Sequence, residues 1–163
     1  MRMAESEREI EAPPEVVWRV LTDFAAYPEW NPFIVRIEGD LAVGQILDLT
    51  IQPPGRRVMT FRPKVLRCEP NRELRWLGHF LVPGLFDGEH AHLLDGLEAG
   101  RTRYSQSEAF RGLLVPLTGS LLAATQQGFD AMNTAFKARA EMLTKAAASG
   151  GGRELWPRLA RTG

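Results

Sequence analysis

The apolar positions change period along the chain, and the changes mark out its elements. From about Leu114 to Ala147 they fall at Leu117, Leu121, Gly128, Met132, Phe136, Ala140 and Leu143, the spacing of one stripe along a helix. The other side carries Gln126, Gln127, Asp130, Asn133, Lys137, Glu141 and Lys145. Glu141 stands four residues before Lys145, the favourable order for a surface ion pair. Pro116 is tolerated in a first turn, and Gly150–Gly152 ends the pattern. A helix of this length is roughly 45–50 Å long, and its stripe needs a partner of similar reach.

The segments ahead of it alternate with period two or run apolar between turn residues, which predicts strands. Seven are read: residues 3–11, Phe33–Glu38, Ile46–Gln52, Val58–Cys68, Glu73–Gly78, Glu89–Leu94 and Thr102–Phe110. Phe33, Val35 and Ile37 share a face, as do Leu47, Leu49 and Ile51. Pro63 interrupts the fourth strand and suggests a bulge or an edge. After the first strand, Val16, Val17, Val20 and Leu21 behind Pro14 predict a short helix, and Phe24–Trp30 a second, made irregular by Pro28. Tyr27–Phe33 is a stiff aromatic connector that reads as core and lid, with Trp30 at the pocket mouth. Residues 79–87, apolar around Pro83-Gly84, read as a gate loop that could expose Leu81 and Phe86 to a ligand or partner. Short connections favour an antiparallel meander. The expected fold is therefore α+β: a seven-stranded antiparallel sheet wrapped around a long C-terminal helix. Two short helices follow the first strand, and a cavity lies between sheet and long helix. Residues 1–148 make the domain, and the Gly-rich tail 149–163 is expected to be disordered.

Composition narrows the function classes. The 163 residues carry 20 basic and 20 acidic side chains, so no net field draws nucleic acid or anionic lipid. The single Cys68 excludes an internal disulfide and offers no zinc cluster; it reads as an inert side chain. The charged opening MRMAESEREIEAPP does not read as a secretory signal, and no apolar run reaches the ~20 residues that span a bilayer. There is no Gly-rich phosphate loop, serine-hydrolase elbow or nucleotide fingerprint. The expectation is a cytoplasmic domain with no cofactor, metal, nucleic-acid partner or membrane insertion. A homodimer is left open.

IEAPPEVVWRVLTDFAAYPEWNPFI resembles the opening of the START-like, or SRPBCC, superfamily in its pairing of Pro-x-x-Val-Trp-x-Val-Leu with Tyr-Pro-x-Trp-Asn. EPNRELRWLG (69–78), GEH (88–90), TRYSQSEAFRGLL (102–114) and GFDAMNTAFKARAE (128–141) resemble one bacterial branch of it, polyketide cyclase/dehydrase-like. The resemblance covers about residues 3–147 and implies the helix-grip fold, a sheet around a long C-terminal helix with a cavity between them. It implies less about function, because the superfamily spans lipid carriers, hormone receptors, allergens and aromatase/cyclases.

With the family pattern as a guide to the inward face, His90, His92 and Leu94 point inside, and alternation places Thr102, Tyr104, Gln106 and Glu108 with them. Glu108, His90 and His92 are the candidate acid/base groups, set against structural histidines and a Glu108 paired with Arg62 or Arg111. Two histidines alone do not make a metal site. His79 has the opposite parity and reads as outward or in the loop. The candidate ligand-binding residues are Trp30, Met59, Phe61, Trp76, Leu94, Tyr104, Gln106, Gly128 and Met132. Gly119 and Gly128 each cost about 1 kcal/mol inside a helix, for close approach to the sheet or for ligand space. The leading functional expectation is binding of a hydrophobic small molecule such as a lipid, isoprenoid or polyketide-like compound. A cofactor-independent cyclase/dehydratase, with Tyr104 as a carbonyl donor, and a protein-interaction accessory are the alternatives.

Overall fold

The computed structural model describes residues 1–79, 82–117 and 119–149. Strand β1 (Arg2–Ile10) leads through α1 (Pro14–Thr22) and α2 (Tyr27–Trp30) into β2 (Ile34–Glu38), β3 (Asp48–Ile51), β4 (Met59–Phe61), β5 (Lys64–Glu69), β6 (Glu73–His79), β7 (Asp87–Leu97) and β8 (Arg101–Arg111). Helix α3 (Gly119–Ala148) follows. Every strand pairing is antiparallel. The strands form two sheets, ordered β1-β8-β7-β6-β5 and β2-β3-β4.

The expected helix grip is present, with eight strands among the described residues instead of seven. The difference lies at Pro63. A proline has no N–H to give a ladder, and the expected strand Val58–Cys68 breaks there into β4 and β5. The break is bridged from the other side: Leu47 N–H donates to Pro63 C=O (2.9 Å) and Val65 N–H to Gln45 C=O (2.9 Å). One bent sheet thus becomes two that face each other. A second irregularity sits in β2, where the register shifts between Ile34 and Arg36. That bulge buries Phe33, Ile34 and Ile37 and leaves Val35 half-buried, so the simple alternation expected of this strand fails.

Helix α3 starts at Gly119, after a 3-10 turn at Val115–Leu117, a few residues later than expected. Its Phe129, Met132, Phe136 and Ala140 are fully buried and carry the stripe. The polar side behaves differently from expectation. Asn133 is buried, not solvated. Glu141 pairs with Lys137 at 2.8 Å. Four of the polar groups, Gln126, Asp130, Lys137 and Glu141, clamp β1, the free edge of the five-stranded sheet. Gln126 accepts from Glu5 N–H (3.0 Å) and donates to Glu5 C=O (2.7 Å). Asp130 accepts from Ser6 Oγ (2.7 Å), Lys137 Nζ donates to Glu9 C=O (2.6 Å), and Glu141 accepts from Glu11 N–H (2.9 Å). An edge strand exposes unpaired main-chain groups, and the helix side chains satisfy them.

The aromatic connector is core. Tyr27 is fully buried and donates to Leu21 C=O (2.7 Å). Asn31 Oδ1 accepts from the main-chain N–H groups of Phe33 (3.0 Å) and Ile34 (2.8 Å), which turns the chain into β2. The expected tail, from residue 150, and Phe80 and Leu81 of the expected gate loop lie outside the described residues.

Candidate functional site

The bend at Pro63 leaves a cavity between the two sheets, at the N-terminal end of α3. The small sheet and the chain entering it contribute Phe33, Ile34, Leu49, Ile51, Met59 and Phe61. The large sheet contributes Trp76, Gly78, Gly88, His90, Glu108 and Phe110, and Pro63, His79, Phe86, Leu121 and Thr125 complete the wall. About 70 Å³ is open to the centres of water-sized molecules. At ~10–15 Å³ for each water, that is room for about five or six.

Register explains the polar end. His90 lies opposite Trp76 on one side and Glu108 on the other. Gln106 fixes the state of His90. The Gln106 amide donates to Phe129 C=O (3.2 Å) and to Asn133 Oδ1 (2.5 Å), so its oxygen is left to accept from His90 Nε2–H (3.2 Å). With the proton on Nε2, Nδ1 is a bare acceptor. Burial pushes the His90 pKa down to about 4, against the pull of the Gln106 hydrogen bond, so the ring is neutral.

Glu108 Oε2 lies 4.0 Å from His90 Nδ1, too far for a hydrogen bond. Neither arginine weighed as its partner reaches it: Arg62 pairs with Asp48 at 3.1 Å, and no hydrogen bond from Arg111 falls on Glu108 among the described residues. Gly88 makes room for this carboxyl, since a methyl on Gly88 would run into it. Burial pushes the Glu108 pKa up to about 7, so it exchanges its proton close to neutral pH. A fifth of the side chain stays accessible through the cavity.

Of the residues read from the sequence, Met59, Phe61, Trp76, His90 and Glu108 come together on the cavity wall. The others lie behind it, because the centre of α3 packs against the sheet and fills the space there. His92 is fully buried, stacked on His90 (ring centroids 4.3 Å) and bonded through Nδ1 to Tyr104 OH (2.6 Å). Burial, then the neighbouring His90, hold its pKa well below the ordinary histidine value. Tyr104 packs on Phe136 (4.4 Å between centroids), and Leu94 and Met132 are core. Gln106 reaches the cavity only through His90. Gly128 leaves no ligand space: the Phe33 ring lies where its side chain would be. Trp30 packs between Tyr27 (5.0 Å) and Phe136 (5.5 Å), away from the mouth. Among the described residues no three His, Cys, Asp or Glu side chains gather into a group that could hold a metal ion.

Sequence reasoning did not name Phe33, Ile34, Leu49, Ile51, Phe110, Leu121 or Thr125 as site residues. The parity of Leu49 and Ile51, and of Phe110 with Glu108, signals an inward face. Phe86, expected to be exposed, is buried against Phe110 (5.4 Å). His79 has an exposed side chain bonded through Nδ1 to Asp87 (2.7 Å) and sits on the cavity rim.

A long helix gripped by antiparallel strands, with an apolar cavity at one end, defines the START-like class of helix-grip proteins. Within that class, the chain belongs to the family described as polyketide cyclase/dehydrase and lipid transport, which matches residues 1–141. Membership supports a ligand-binding or cyclase role. The fold is similar to that of the Zhui aromatase/cyclase from Streptomyces sp. R1128, at 20% identity and a TM-score of 0.74 over 90% of this chain and 97% of that one. It is similar to a START superfamily protein from Mycobacterium smegmatis, at 22% identity and a TM-score of 0.67 over 86% and 98%. A protein from Thermus thermophilus has 20% identity and a TM-score of 0.66 over 91% and 99%. At these identities the likeness is one of fold. No curated protein matches the chain. Among the described residues no helix is long and apolar enough to cross a membrane.

Proposed function

We propose that the chain binds a hydrophobic small molecule, of lipid, isoprenoid or polyketide-like character, between its two sheets. The observation that carries this reading is the open cavity, walled by Phe33, Leu49, Ile51, Met59, Phe61, Trp76 and Phe110, with its few polar groups at one end. Apolar burial stabilises a complex by about 25 cal/mol per Å². About 300 Å² of ligand surface would supply roughly 7 kcal/mol before the costs of association. A larger ligand would keep one ring-sized part inside and the rest at the mouth. Native mass spectrometry of the purified protein, with extraction of what it retains, tests this. A retained apolar compound, or saturable binding of the neutral dye Nile red that Phe61→Asp weakens at least tenfold, is expected. Neither retention nor dye binding would end the reading.

One observation favours a second reading, a cofactor-independent cyclase/dehydratase. Glu108, with a pKa raised to about 7, is about half protonated at neutral pH and faces the cavity, so it can act as a general acid toward a leaving hydroxyl. His90 would be a weak base, and His92, walled off from the cavity, takes no part. Turnover of a polyketide-like β-hydroxyketone is expected to fall at least a hundredfold in Glu108→Gln. Unchanged turnover in Glu108→Gln and His90→Ala would remove the enzyme reading.

A further inference from the structure

The binding reading leaves open what the polar end of the cavity recognises. Three observations bear on it. First, His90 Nδ1 is a bare acceptor on a side chain only 5% exposed, and it has no hydrogen bond among the described residues. The nitrogen is open to the cavity, so a ligand hydroxyl can donate to it, whereas an apolar group set there would leave the acceptor without a partner. Second, Glu108 Oε2 stands 4.0 Å from that nitrogen. The two cannot bond each other, but one oxygen about 2.8 Å from each fits between them. Third, the wall contains no Lys or Arg among the described residues, and His79 on its rim is already bonded to Asp87, so no unpaired cation there neutralises an anion.

The surface beside this pair is apolar. Gly78 and Gly88 lie directly opposite each other on β6 and β7, and both line the cavity. The Glu108 carboxyl covers the inner side of Gly88, and Pro63 borders that of Gly78. An apolar group in the cavity therefore lies against Trp76 and Phe110, which flank the two glycines.

We propose that the inner end of the cavity is a recognition site for a neutral hydroxyl carried on an apolar group. The hydroxyl donates to His90 Nδ1 and meets the Glu108 carboxyl with its own oxygen, while the apolar group packs against Trp76 and Phe110. Gln106 is a positioning residue, since its hydrogen bond keeps the His90 proton on the far nitrogen. A carboxylate of the same size is rejected: it brings an acceptor to an acceptor and a charge to a wall without an unpaired cation. This inference rests on the binding reading above and names the ligand class for it.

The test is calorimetric titration of the intact chain at pH 6 with three probes of matched size, 4-ethylphenol, 4-ethyltoluene and 4-ethylbenzoate. The phenol is expected to bind about tenfold more tightly than the hydrocarbon, because the site is left with an unpaired acceptor when the hydroxyl is missing. The benzoate is expected to bind more weakly than either. In folded His90→Phe protein the advantage of the phenol over the hydrocarbon should vanish, whereas Glu108→Gln, which keeps a donor, should retain most of it. Equal affinity for phenol and hydrocarbon, or preference for the benzoate, overturns the inference and leaves the binding reading standing. Binding of none of the three overturns both.

Discussion

Glu108 shows how one side chain ties stability to function. Its pKa is raised by burial from the ordinary carboxylate value of 4.5 to about 7, so the folded chain favours the protonated form. The unfolded chain would lose that proton near 4.5. The stability linked to Glu108 is therefore fully present below about pH 4.5 and is lost as pH rises through about 7. Glu108→Gln should match the wild type in urea unfolding at pH 4 and be more stable at pH 8, by up to a few kcal/mol. A variant no more stable at pH 8 than at pH 4, relative to wild type, would show that the carboxyl ionises freely. Gly128 makes the opposite point. Alanine there would gain about 1 kcal/mol of helix propensity, but its methyl would strike the Phe33 ring. Overpacking costs about 1–3 kcal/mol, so Gly128→Ala should be a net destabilisation of up to about 2 kcal/mol in urea unfolding. Glu108 was legible in the sequence because alternation groups it with Thr102, Tyr104 and Gln106, on the face that the family pattern turns inward. The tautomer of His90 was not, because it depends on Gln106, Asn133 and the Phe129 carbonyl, which meet only in three dimensions.

At the scale of elements, the seam between α3 and β1 replaces the strand neighbour that β1 lacks. Gln126→Ala removes both hydrogen bonds to Glu5, at an exposed edge where water can take over. A cost of about 0.5–1.5 kcal/mol is expected, with amide exchange at Glu5 accelerated and exchange in the β7–β8 ladder changed only through global stability. Equal acceleration in both would mean that the seam is not a local clamp. The helix and most strands were legible because their periods are long and regular. The polar side of α3 was misread for a physical reason: helical periodicity separates apolar from polar faces, but it cannot tell a solvated polar face from one that docks on a sheet edge. The bulge in β2 shifts register by a local irregularity, so that parity counted from one end fails at the other. The break at Pro63 keeps the common face of Met59, Phe61 and Val65 but moves the two halves of the expected strand into different sheets.

At the scale of the whole molecule, the cavity lies at the N-terminal end of α3, where the sheet bends into two. The middle of α3 buries Phe129, Met132 and Phe136 completely. This is why Leu94, Tyr104 and Met132, all inward, are core, while Met59 and Phe61 line the cavity. The methyls of Met59 and Met132 distinguish these two regions in one experiment. In a titration of methyl-labelled protein with 4-ethyltoluene followed by NMR, the Met59 methyl should shift saturably while the Met132 methyl stays in place. A Met59 signal that does not move at saturating hydrocarbon, or a shift confined to Met132, would contradict the account.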